Sequence, residues 1–96
     1  MMSPNVVQVL PTKDYTVYVF FENGVIKEYS LKKTITKGGV FEKLVDIDFF
    51  INSCTVMNRT LAWDLSGRRD PTDCIDICPD VIYEDGKTVK QEDIIV

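Results

Sequence analysis

The sequence predicts a small α+β fold: a mostly antiparallel sheet of about five strands with short helices. Two observations carry that prediction. The run Tyr15–Ser30, YTVYVFFENGVIKEYS, is a pair of β-branched and aromatic segments joined at Asn23-Gly24, the pair preferred at the centre of a two-residue type I′ turn. Around it, segments follow the order β-β-β, short helices, β-β, helix, punctuated by Pro, Gly and Asp. No repeat, linker or low-complexity tract interrupts the 96 residues. They read as a single domain over 1–96.

Composition narrows the function classes. A chain of this length buries roughly two-thirds of the surface its unfolded form exposes, enough for one core without metals or disulfides. With 45% apolar and 27% charged residues the chain is expected to fold rather than stay disordered. Apolar runs such as Val17–Phe21 are too short to span a bilayer, so no membrane partner is expected. Met1-Met2-Ser3-Pro4 leads straight into strand-like sequence, without the basic and apolar regions of a secretory signal. The expected location is the cytoplasm.

Taken in order, Asn5–Leu10 is a β-branched run bounded by Pro4 and Pro11 and predicts the first strand. Pro11–Asp14 is a turn. The hairpin supplies strands two and three; a two-residue turn places Phe21 opposite Ile26, Phe20 opposite Lys27 and Tyr18 opposite Tyr29. Leu31–Thr36, with Leu31 and Ile35 at helical spacing, predicts a short helix ended by Gly38-Gly39. Val40–Leu44 is a second helical segment. Asp46 is positioned to cap a third, in which Ile47, Phe50 and Ile51 share a face. Cys54–Met57 and Leu61–Leu65 predict strands four and five, turned by Asn58-Arg59-Thr60, and Ser66–Asp73 is a polar loop. Pro79 suits the first turn of a final helix, Pro79–Glu84, closed by Asp85-Gly86. Lys87–Val96 reads equally as a docked strand or a frayed tail.

Several of these stretches together resemble a known family. Val9-Leu10-Pro11, Asp14-Tyr15, FENGVIKEYSL at Phe21–Leu31, KGGVF at Lys37–Phe41, the Leu44…Asp46…Phe49 helix and DICPDVIYEDG at Asp76–Gly86 are similar to the bacterial domain of unknown function 2442 family. The resemblance covers most of residues 5–86, making them a family-like core with 87–96 as a C-terminal tail, and implies the α+β fold and no catalytic residues. It also implies a paired-gene setting of the toxin–antitoxin kind, with a small partner protein. The Ser66–Cys74 segment departs from the family pattern as an insertion. No helix-turn-helix segment follows Gly86, which counts against DNA binding.

The chemistry-bearing residues point the same way. Histidine is absent, and with it the commonest general base and metal ligand. No phosphate-binding glycine loop or nucleophile elbow is present. An enzyme is not expected, and no cofactor. The net charge of −4, from 11 basic and 15 acidic residues, disfavours a nucleic-acid partner. If one binds, Lys32, Lys33, Lys37, Arg68 and Arg69 are the candidates. Cys74 and Cys78 have Cys-x3-Cys spacing, and Cys54 is a third thiol, but three cysteines without histidine fall short of a zinc set. Cys78 precedes a helix, a position that favours the thiolate. The remaining signal is in the hairpin. The register above puts Val17, Val19, Phe21 and Ile26 on the core face and leaves Tyr18, Phe20, Val25 and Tyr29 opposite, where a solvated sheet carries polar residues. That second face is covered by the chain's own helices or tail, or by a protein partner, either a second copy or a small protein. Trp63 is expected in the core.

Overall fold

The computed structural model describes residues 3–94. Strands β1 (Val6–Pro11), β2 (Thr16–Phe21) and β3 (Ile26–Ser30) are followed by α1 (Lys32–Ile35), a 3-10 segment (Gly39–Val45) and α2 (Ile47–Asn52). Then come β4 (Cys54–Met57), β5 (Thr60–Asp64), β6 (Cys74–Asp76), α3 (Pro79–Asp85), β7 (Lys87–Val89) and a 3-10 turn at Gln91–Asp93. The α+β class and the antiparallel pairing hold. The strands are divided between two sheets, ordered β1-β2-β3-β7 and β4-β5-β6. Among the described residues seven strands therefore stand where about five were expected. The additions, β6 and β7, are three residues each, too short to show an alternating pattern of their own.

The Tyr15–Ser30 hairpin forms, but one residue out of the expected register. Phe20 lies opposite Ile26, Val19 opposite Lys27, Tyr18 opposite Glu28 and Val17 opposite Tyr29. The loop is longer by one residue than the Asn-Gly pair suggests. Gly24 N–H donates to the Phe21 carbonyl (3.0 Å) and Phe21 N–H to the Val25 carbonyl (2.9 Å), so Glu22-Asn23-Gly24 is a three-residue connection. Gly24, at φ 87°, takes the left-handed position that such loops reserve for glycine. The Asn23 side chain is engaged elsewhere: its Oδ1 accepts from Val25 N–H (3.1 Å). The two-residue turn with both φ positive occurs instead at Asn58 and Arg59, between the paired Met57 and Thr60.

Helix α2 starts as its sequence requires. Asp46 accepts from Asp48 N–H (3.1 Å) and Phe49 N–H (3.4 Å), two donors without partners inside the helix. Its face buries Phe50 against Trp63, with ring centroids 5.4 Å apart, and Tyr15 meets Phe50 edge-on at 5.4 Å. The core joins Val17, Val19 and Phe21 of the first sheet to Leu61, Trp63 and Ile75 of the second, with Leu31 just before α1 and Leu44, Phe50 and Ile82 from the helical segments. The two sheets also meet along the backbone, where Val6 N–H donates to the Arg59 carbonyl (3.0 Å). Among the described residues no helix is long and apolar enough to cross a membrane.

Candidate interaction surface

Because opposed residues in an antiparallel pair share a face, the register decides which aromatic side chains are available. Tyr18 and Phe20 lie on the outer face with Leu10, Gln8, Ile26 and Glu28. Val25 and Tyr29 do not. The one-residue shift carries them to the inner face with Phe21 and Val17, where both pack against the core, while Ile26 moves outward. Burial raises the Tyr29 hydroxyl pKa; the Thr34 side chain opposes that rise and the Asp85 charge adds to it. The set Tyr18, Phe20, Val25 and Tyr29 is therefore two pairs on opposite faces, a correction that follows from one extra loop residue.

The outer face is partly covered by the C-terminal segment. Strand β7 pairs with β3, placing Val89 opposite Ile26, Thr88 opposite Lys27 and Lys87 opposite Glu28. Over residues 87–94, then, the C-terminal stretch is docked; Ile95 and Val96 lie outside the described residues. The chain beyond β7 contributes Gln91 and Ile94 to a recess of about 220 Å³ shared with Gln8, Leu10 and Phe20. Beside it, a groove of about 310 Å³ is lined by Leu10, Pro11, Tyr18, Ile51 and Ile94, together with Thr12 and Lys13. Tyr18 and Phe20 are half-buried as a result. Leu10, Ile51 and Ile94 were not among the expected site residues. Each sits in a different element, and only the end of Lys87–Val96, apolar after a polar stretch, hinted at one of them.

The basic candidates fall in two separate places, the lysines in one and the arginines in another. Lys32, Lys33 and Lys37 line a shallow depression with Tyr29, Thr34 and the acidic Glu84 and Asp85, and Lys32 pairs with Asp14 at 2.9 Å on the surface. Arg69 lines other recesses, with Met57 and Pro71 and with Cys54 and Asp64. Its guanidinium is committed to Thr55 Oγ1 (2.8 Å) and the Val56 carbonyl (2.7 Å). Arg68 is exposed on the same loop.

That loop is organised by a carboxylate. Asp64 accepts from Ser66 N–H and Oγ (3.1 Å each), Gly67 N–H (3.2 Å) and Arg69 N–H (2.8 Å). Burial acts to raise its pKa, but the bonds from Arg69, Ser66 and Gly67 outweigh it and hold the carboxyl below its ordinary value.

The three thiols are free and differ in exposure, with Cys54 and Cys74 partly covered and Cys78 exposed at the start of α3. Burial pushes Cys54 up to about 12. Cys74 is also raised, by burial and then by the charges of Asp76, Asp64, Asp70 and Asp73, away from a reactive thiolate. Among the described residues no three His, Cys, Asp or Glu side chains gather as a metal-binding group.

These features define an α+β protein of two antiparallel sheets with an apolar groove on the outer face of the larger one. The chain belongs to the family described as Protein of unknown function (DUF2442), whose model matches residues 6–88. Comparison with curated proteins and with solved structures finds no match.

Proposed function

We propose that this chain is a cytoplasmic protein-interaction module without catalytic chemistry of its own, and that it binds a protein partner, a second copy or a small protein, through the outer face of its four-stranded sheet. The observation that carries this reading is the apolar groove between Leu10, Pro11, Tyr18, Ile51 and Ile94. It sits where a sheet facing water carries polar side chains. Aromatic and aliphatic side chains around a concave surface are the usual anchors of protein contacts. Tyr18 and Phe20 remain from the four hairpin residues first expected there; Val25 and Tyr29 belong to the fold. The absence of histidine from the whole sequence supports a binding rather than a catalytic role.

The experiment compares the tagged chain with a Tyr18→Ser/Phe20→Ser variant in a lysate of its own organism. The reading expects one protein, this chain or another, to be retained by the parent and lost from a variant whose circular dichroism is unchanged. Retention by both forms, or recovery of nucleic acid in a salt-sensitive manner, overturns it.

A further inference from the structure

We infer that the segment a partner lays in the outer groove is both apolar and acidic. It is an extended stretch of protein chain that seats apolar side chains between Leu10, Tyr18, Ile51 and Ile94 and sets a carboxylate beside them on Lys13. The inference rests on the outer face being a protein-binding surface, and it adds the chemistry of what that surface takes.

The groove carries charge at one residue only. Leu10, Pro11, Tyr18, Ile51 and Ile94 line most of it, and Lys13 is the sole charged side chain on its wall. Leu10 and Ile94 also border the neighbouring recess, where Gln8, Phe20 and Gln91 add no charge. The two recesses therefore form one track, and from β1 and the turn after it the alternate residues Gln8, Leu10 and Thr12 border it. An extended segment repeats its own side chains at the same interval. Leu10, Tyr18, Phe20, Ile51 and Ile94 are all half-buried, so each keeps apolar surface for a partner's side chains to cover.

The cation has no carboxylate of its own. Lys13 is exposed in the turn between β1 and β2, which Thr12 N–H closes by donating to the Thr16 carbonyl at 2.9 Å. Its neighbour Asp14 is drawn to Lys32 at 2.9 Å, the one ion pair among the described residues. No acidic side chain borders either recess, although the chain carries 15 of them. A partner's carboxylate thus meets a free ammonium and no like charge along the track, whereas a basic segment meets only repulsion there.

This preference runs against the charge of the molecule as a whole. With a net charge of −4, the chain draws basic partners at long range. Only at the track is an acidic segment favoured, where the apolar wall of Leu10, Tyr18 and Ile51 strengthens the field of the one cation beside it. The opposition separates two outcomes. Binding governed by net charge selects lysine and arginine; binding governed by the groove selects aspartate and glutamate next to an apolar residue.

The test screens a displayed library of random heptapeptides against the immobilised full-length chain. Lys13→Glu and Tyr18→Ser/Phe20→Ser variants that keep the parent's circular dichroism are screened in parallel. On the parent, peptides that pair Leu, Ile, Val or Phe with a neighbouring Asp or Glu are expected at about threefold their frequency in the unselected library, the effect of one exposed ion pair. On Lys13→Glu the acidic preference should turn to Lys and Arg with the apolar residues retained. On Tyr18→Ser/Phe20→Ser both should be lost. Apolar peptides without an acidic preference, or an acidic preference that Lys13→Glu leaves intact, overturn the inference while the outer face stands as an interaction surface. Selection unchanged by Tyr18→Ser/Phe20→Ser puts binding elsewhere and overturns both readings. No selection on the parent overturns this one, and capture of a partner from lysate still decides the other.

Discussion

The indole Nε1 of Trp63 donates to the main-chain carbonyl of Phe50 at 2.9 Å. Phe50 lies in the last turn of α2, whose carbonyls have no partner within the helix. One side chain thus fills the space between the two layers and satisfies a helix end inside the core, where Trp63 and Phe50 are both fully buried. Trp63→Phe keeps most of the apolar contact but leaves the carbonyl without a donor, at a cost of about 1–3 kcal/mol. Trp63→Ala adds a cavity and costs about 3–5 kcal/mol. Urea unfolding of the two variants checks the order; a Trp63→Phe variant as stable as the parent would mean that the hydrogen bond contributes nothing.

The Asp64 carboxylate links pH to the 66–69 loop. Its folded pKa lies below its unfolded value, so the stabilisation it provides is fully present above the unfolded carboxyl value, about 3.9. That stabilisation is lost as pH falls through the lower folded value. In the parent, protection of the Gly67 and Arg69 amides from hydrogen exchange, taken relative to the unfolded chain at each pH, should fall below about pH 4. In Asp64→Asn it should be low and flat across the same range. A parent whose protection does not change with acid would show that the four donors do not depend on the charge.

The cysteines should separate cleanly by accessibility. Cys78 is exposed and should be alkylated first at neutral pH, whereas Cys54, covered and pushed up to about 12, should react only when the chain unfolds. Cys74, raised by burial and four neighbouring aspartates, should be slow. Timed iodoacetamide labelling with peptide mapping reads all three rates; fast reaction at Cys54 would mean that α2 and β4 open readily.

Much of the fold was legible because its signals are local. Asp46 caps α2 because a carboxylate reaches the free N–H groups of a first turn, and Pro79 begins α3 because a first-turn residue needs no donor. The strands β1 to β5 carry their own β-branched and aromatic runs. The short strand β6 was not legible, and β7 was only one of two readings of Lys87–Val96, because three residues show no periodicity and become strands only when β5 and β3 offer an edge. The candidate site was half legible. Tyr18 and Phe20 could be assigned to one face from alternation along β2 alone. Val25 and Tyr29 required the register, and Leu10, Ile51 and Ile94 required three distant elements to meet.

By itself, then, the sequence determined the α+β class, the helix starts and the positions of both hairpins, since capping, turn chemistry and alternation act over a few neighbouring residues. Only the tertiary structure decided which aromatic residues face outward and what covers them. A side chain changes face with every one-residue slip. Whether Asn23-Gly24 closes a loop of two residues or three is settled by how well Val25 and Tyr29 pack inside, not by the turn alone.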